Sequence, residues 1–327
     1  MASSSFAVVA ENLRKRYGDT YALDGFNLSV EQGTVCGLLG PNGAGKTTAI
    51  RILATLIRLD EGQATVGGYD VASRPGEVRG RIGLVGQNAA VDEVLSGFQN
   101  LAMFGRLYHL SGKAARTRAG EMLERFGLAD TGDKPVKAYS GGMRRRLDLA
   151  AGMMLAPVVL FLDEPTVGLD PRGRNEVWQA VRDLVSQGTT VLLTTQYLDE
   201  ADQLASQISV IDTGKVIAEG SPSQLKSRLG GDRVEFVVHD DCQLSTAFQA
   251  VAGLGLAEPV VDRDARRVSV QVRDKSTALV QAVRLLDEAG VAVDDLALRR
   301  PTLDEVFLHI TGHPAENPGK AEQEVNA

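Results

Sequence analysis

Over roughly the first two thirds of the chain, short uninterrupted apolar runs alternate with stretches whose apolar residues recur every three or four positions. Thr34–Leu39, Val158–Leu162 and Thr189–Leu193 are runs of the first kind. Their length and lack of alternation predict strands buried on both faces. Thr47–Ile57 and Val177–Val185 carry the helical period and predict helices between them. Such alternation is the signature of a parallel sheet covered by helices. Phe6–Leu13 and Phe26–Val30 instead alternate apolar with polar residues, which predicts half-exposed strands forming an antiparallel flank.

Around Gly220–Gly230 the pattern changes, and GSPSQLKSRLGG reads as a short helix followed by a linker. Beyond it, strands are predicted at Arg233–Val238, Glu258–Val261, Arg267–Val272 and Val291–Leu298. Helices are predicted at Leu244–Leu254 and Ser276–Ala289, the latter with Leu279, Val283 and Leu286 as its apolar stripe. The order β-α-β-β-α-β is that of a small ferredoxin-like α+β unit. A last helix starts at Thr302, where Thr302-x-x-Glu305 forms a capping box ahead of Val306, Phe307 and Ile310. Residues 312–327 are polar, contain Pro and Gly, and are expected to be disordered. The predicted division is therefore 6–225 for the α/β domain, 231–311 for the accessory unit and 312–327 for the tail.

Gly40-Pro41-Asn42-Gly43-Ala44-Gly45-Lys46-Thr47 follows the first buried strand and opens a helix. This is the spacing and context of a P-loop. Its glycines let successive backbone N–H groups turn toward phosphate oxygens, and the helix N-terminus adds positive potential. Lys46 supplies a charge for the β- and γ-phosphates, and the Thr47 hydroxyl can ligate Mg²⁺. Thr48 lies next in the binding segment. The strand Val158–Leu162 ends in Asp163-Glu164, which brings two acids to the sheet edge where open α/β sheets bind ligands. Asp163 is expected to hold Mg²⁺ and Glu164 to activate the attacking water.

With these motifs placed, the chain resembles the ABC ATPases. Tyr139-Ser140-Gly141-Gly142-Met143 is similar to that family's LSGGQ signature, with Tyr and Met at its outer positions. The likeness covers roughly Val8–Leu225 and implies a mixed sheet with a helical subdomain. It also implies a head-to-tail homodimer in which Ser140, Gly141, Gly142 and Asp170 meet the ATP held by the other copy. Tyr17 stands where the family stacks an aromatic on adenine, although it also reads as a packing residue. Gln87 resembles the glutamine that touches Mg²⁺ and water. Gln196 occupies the switch position, where the family usually has histidine, so a neutral amide is expected to orient the γ-phosphate. The stretches Tyr139–Arg146, Thr194–Asp202 and Leu303–Leu308 resemble the daunorubicin-resistance type of drug-export ATPase. That resemblance implies ATP and Mg²⁺ as cofactors, a separate membrane permease as partner, and a peripheral position on the cytoplasmic face of the membrane.

Composition narrows the alternatives. Hydrophobic residues make up 43% and charged residues 24%, and the net charge is −7. A net negative chain gains nothing from phosphate backbones, so nucleic acid is not an expected partner. The longest apolar run, Met153–Leu162, is interrupted by Pro157 and is about half the length a membrane span requires. Two distant cysteines and four scattered histidines make neither a disulfide framework nor a metal site, and Cys36 reads as a small buried hydrophobe. Arg144–Arg146 reads as a solvated, salt-bridged helix face, and Trp178 as core. Phe98, Met103, Phe104 and Tyr108 fall where the family receives its permease, or else belong to a core. The remaining functional alternatives are a soluble ABC ATPase acting on ribosomes or nucleic acid, and a regulator whose C-terminal unit senses a ligand.

Overall fold

A computed structural model describes residues 6–227, 232–272 and 275–311. The chain divides between Pro222 and Ser223 into two compact units. In the first, β1 (Phe6–Tyr17) and β2 (Thr20–Glu31) form a long antiparallel hairpin, followed by β3 (Val35–Leu39) and α1 (Lys46–Leu53). The hairpin strands outrun the predicted Phe6–Leu13 and Phe26–Val30 because repeated register shifts break the apolar alternation without ending the pairing. Then come β4 (Glu61–Val66), β5 (Tyr69–Asp70), α2 (Pro75–Arg79) and β6 (Ile82–Val85). Three helices follow, α3 (Gly97–Leu107), α4 (Gly112–Arg125) and α5 (Gly141–Gly152). The unit closes with β7 (Val159–Asp163), α6 (Pro171–Ser186), β8 (Thr190–Thr195), α7 (Leu198–Leu204), β9 (Gln207–Asp212) and β10 (Lys215–Gly220).

The larger sheet has the order β10-β9-β3-β8-β7-β6, parallel except for β10. A second sheet, β2-β1-β4-β5, is antiparallel. Every residue of β3, β7 and β8 is buried, as the unbroken apolar runs predicted. Cys36 lies in β3, and burial pushes its thiol up to about 12, beyond reach as a nucleophile. Helix α1 stops at Leu53, four residues short of the predicted end, and Thr55 turns the chain with a φ of 62°. Helix α6 begins six residues before the predicted Val177, because the Asp170 side chain accepts the Gly173 N–H and Pro171 suits the first helical position.

The second unit opens with α8 (Pro222–Ser227), which starts at the boundary, and continues with β11 (Arg233–Val238), α9 (Leu244–Val251), β12 (Val260–Asp262) and β13 (Arg267–Gln271). It ends with α10 (Lys275–Glu288), β14 (Val293–Arg299) and α11 (Leu303–Thr311). Its antiparallel sheet, ordered β12-β13-β11-β14, has the ferredoxin-like topology expected from the element order. The apolar stripe of α10 differs from the expected one. Ala278, Ala282 and Leu286 face the core with Leu279, while Val283 is 51% exposed. At the N-terminus of α11, Thr302 accepts the Glu305 N–H at 3.3 Å, half of the predicted capping box. The linker residues 228–231 and the tail 312–327 lie outside the described residues. Among the described residues, no helix is long and apolar enough to cross a membrane.

Candidate functional site

The P-loop spans the gap between β3 and α1 at the carboxyl edge of the large sheet. Two of its glycines are required by shape. At Gly40 a Cβ would run into the Ile211 carbonyl, and Gly45 combines a φ of 109° with the Ala22 carbonyl in the same position. Lys46 is buried, and its ammonium donates to the carbonyls of Gly40 at 2.7 Å and Pro41 at 3.1 Å. It also stands 3.9 Å from Glu164 Oε1.

The strand order decides what else reaches this edge. Strand β8 lies between β3 and β7, so Thr194 sits opposite both Leu38 and Asp163. The Thr194 hydroxyl is fully buried and donates to Asp163 Oδ1 at 2.6 Å. The Thr194 hydroxyl oxygen in turn accepts the Glu164 N–H at 3.1 Å, and the Thr194 carbonyl accepts that N–H at an equal distance. Glu164 is held at a φ of 50°, a left-handed conformation that a carboxylate residue adopts only where its surroundings impose it. The Thr47 hydroxyl donates to Asp163 Oδ1 at 3.3 Å. Two oxygens at that spacing suit neighbouring positions around one small hard cation, whose remaining ligands would be phosphate and water. The donor set therefore fits Mg²⁺.

The remaining predicted residues fall around this centre. Gln87 follows β6 by two residues and is exposed. Tyr17 ends β1, half exposed, with the Lys15 ammonium 5.8 Å from its ring centre. The amide oxygen of Gln196 is buried without a hydrogen-bond partner among the described residues, which leaves the amide with spare capacity.

The Ser140 segment forms a second locus. Ser140 caps α5 by accepting the Met143 N–H at 3.2 Å. Tyr139 is buried and donates to the Thr131 carbonyl at 2.8 Å, so it anchors the turn rather than facing a ligand. Gly142 packs on Gly173, which brings the N-termini of α5 and α6 side by side. A cavity of about 500 Å³ opens there, lined by Ser140, Gly141, Gly142, Gly168 and Asp170 among others. Two adjacent helix N-termini make it suited to an anion. None of the P-loop residues or Walker-type acids lines it.

Two parts of this neighbourhood differ from what the sequence predicts. Arg144 and Arg146 do form ion pairs, with Glu93 at 2.8 Å and Glu176 at 3.3 Å. Arg145, however, is 6% exposed and donates to backbone carbonyls on two loops. The signal was Asp148, one turn along the helix. Trp178 is only half-buried, and its indole N–H donates to the buried Glu200 carboxylate at 3.1 Å. Burial raises the Glu200 carboxyl above its ordinary 4.5, against the hydroxyls of Thr195 and Thr166.

Together, the α/β sheet and the phosphate-facing edge define a P-loop nucleotide-binding protein. Residues 23–167 match the family model described as "ABC transporter", and residues 220–311 match "ATP-binding protein DrrA1-3-like, C-terminal domain". The chain is 62% identical to a daunorubicin resistance ATP-binding protein of Streptomyces coeruleorubidus, over 95% of this chain and 97% of that one. It is 37% identical to a linearmycin resistance ATP-binding protein of Bacillus subtilis, covering 93% and 97% of the two chains. The cbiO1 subunit of a Clostridium perfringens ABC transporter superposes with a TM-score of 0.64 at 28% identity, over 69% of this chain and 92% of that one. The chain belongs to the ATP-binding proteins of ABC transporters, and within them to the daunorubicin-resistance type; it is an ATPase coupled to transport.

Proposed function

We propose that this chain powers an exporter of drug-like or lipid-like molecules whose membrane-spanning permease is a separate polypeptide, and that it works as a homodimer on the cytoplasmic face of the membrane. Residues 6–225 would be the motor, 231–311 an accessory domain and 312–327 a tail. The observation that carries the reading is the convergence of Lys46, Thr47, Asp163 and Glu164 on one sheet edge.

In this reading Gly40–Thr48 wrap the ATP phosphates and Tyr17 stacks on the adenine. Lys46 leaves the carbonyls of its own loop for the β- and γ-phosphates, a small movement because those carbonyls belong to the phosphate cradle. Thr47 and Asp163, with Gln87 beside them, would hold Mg²⁺, which when bound would supply positive charge to the phosphate oxygens. Glu164 takes the proton of the attacking water. Its backbone, turned at a positive φ and held by Thr194 through its N–H, sets where that carboxylate stands, so little reorganisation remains for the reaction. Gln196 directs its amide N–H at the γ-phosphate. The cavity at Ser140, Gly141, Gly142 and Asp170 takes the γ-phosphate of the other copy's ATP. Its separation from the P-loop residues supports a site completed only by dimerisation. ATP thus favours the closed dimer, and hydrolysis releases it.

Glu164→Gln keeps the size of the side chain and removes the base. With Mg²⁺ and ATP, the variant is expected to elute from size exclusion as a stable dimer while hydrolysis is lost. Hydrolysis at the wild-type rate would remove Glu164 from the mechanism.

A further inference from the structure

We infer that the buried Arg145–Asp148 pair is a positioning device that makes the Ser140 helix and the loops on either side of the catalytic edge move together. The inference rests on the reading of this edge as the site of ATP hydrolysis. Arg145 and Asp148 lie one turn apart on α5, 6% and 3% exposed, with Arg145 Nη1 donating to Asp148 Oδ2 at 3.2 Å. The same Nη1 donates to the Gly86 carbonyl at 2.7 Å, and Nε donates to the Pro165 carbonyl at 2.7 Å. The other oxygen of Asp148 accepts the Ala90 N–H at 2.9 Å. Gly86 and Ala90 bracket Gln87, and Pro165 directly follows Glu164. One ion pair therefore grips the backbone on both sides of Gln87 and immediately beyond the proposed base.

Stability does not account for such a pair. Burial pushes the guanidinium pKa down and the Asp148 carboxyl up, so each charge is held against a desolvation cost. Well-packed apolar residues in place of a buried ion pair often stabilise a protein as well or better. What apolar residues cannot do is bind two carbonyls and an N–H drawn from two different loops. The guanidinium fork is suited to this, because its donors are fixed in one plane. The N-terminus of the same helix lines the anion cavity at Ser140. A displacement of the Gly86–Ala90 loop is thus transmitted by one rigid group to Glu164 and to the Ser140 end of α5. The pair sets positions and touches no substrate.

The test compares full-length wild type, Arg145→Met/Asp148→Leu and Arg145→Lys. Each is measured for unfolding midpoint, ATP affinity, kcat per folded molecule and ATP-driven dimerisation in a Glu164→Gln background. The double variant removes both charges and leaves neither uncompensated. Its unfolding midpoint is expected to fall modestly, because the Gly86 and Pro165 carbonyls and the Ala90 N–H lose their partners; the folded molecules should bind ATP within about twofold of wild type, while their kcat falls about ten- to a hundredfold, the range that small misplacements cost, and ATP-driven dimerisation weakens. Arg145→Lys keeps the pairing charge but loses the fork, so kcat should fall while KM holds. Wild-type kcat in either folded variant would overturn the inference. So would an activity loss in Arg145→Lys accounted for entirely by the unfolded fraction. If wild type itself hydrolyses no ATP, the reading of the edge fails instead, and the ratio between variants is not what fails.

Discussion

Replacing Thr194 by valine isolates one oxygen atom at the centre of the site. Valine has nearly the same shape, and Thr194 is fully buried, so packing is preserved while the hydroxyl is lost. That hydroxyl makes the 2.6 Å bond to Asp163 and receives the Glu164 N–H at 3.1 Å. The Glu164 N–H retains the Thr194 carbonyl, so the backbone bond is only halved. Among the described residues, Asp163 retains the longer contact from Thr47 at 3.3 Å. A hydrogen bond to a charged group contributes about 1.5–3 kcal/mol, and a buried acceptor left without its donor forfeits a similar amount. The first unit should therefore lose about 2 kcal/mol of stability. If the freed carboxylate also samples other rotamers, kcat should drop about tenfold, equivalent to about 1.4 kcal/mol of barrier. The ATP KM should change little, because Lys46 and the P-loop are untouched. Trp178, the only tryptophan, lies in the first unit and reports its urea unfolding by fluorescence. Steady-state hydrolysis gives kcat and KM, and Thr194→Ser should recover most of both losses. Unchanged urea midpoint and unchanged kcat in Thr194→Val would refute the view that this hydroxyl orders the two acids.

Gln196→Ala should reduce hydrolysis more than ATP binding, because orientation of the γ-phosphate matters most in the transition state. Gln196→His should keep activity and add a pH dependence between about 6 and 7, near the free imidazole pKa; full activity in Gln196→Ala across that range would place the switch elsewhere. At Glu200, burial raises the folded-state pKa, so the folded chain holds more protons than the unfolded one as pH climbs from 4.5 through the raised value, and stability declines over that window. Glu200→Gln keeps an acceptor for the Trp178 indole and removes the titration. Its stability relative to wild type should therefore rise with pH from about 4.5 upward, as read from unfolding midpoints, and a difference independent of pH would contradict this account.

Much of the candidate site was legible in the chain because the motifs that compose it are contiguous. The glycines of Gly40–Thr47 impose their own backbone curvature, and Lys46 and Thr47 need only the strand before and the helix after them to be brought into place. The same holds for Asp163-Glu164 at the end of an apolar run, and for the β-α-β-β-α-β order of the second unit, which admits few sheet topologies. These features depend on local periodicity and on short-range sterics, and those are properties of sequence.

Other features depend on which elements become neighbours. Thr194 reads as one more residue at the end of a buried strand. It becomes the hinge of the acidic pair only because β8 inserts between β3 and β7, a strand order that does not follow the order of the chain. Three consecutive arginines are indistinguishable by type, yet only Arg145 turns inward, because the helix rotates about 100° per residue and the loops after β6 and β7 lie on one side of it. In α10 the exposed Val283 and the buried Ala282 invert the ranking that hydrophobicity alone assigns, because the rotation of the helix, not residue type, sets which positions meet the sheet. The sequence by itself thus determined where the candidate phosphate motifs lie and which strands are buried. Only the tertiary structure decided which polar side chains are buried with them, because burial of a charge or a hydroxyl depends on partners supplied by distant segments, and those partners exist only once the sheet is assembled.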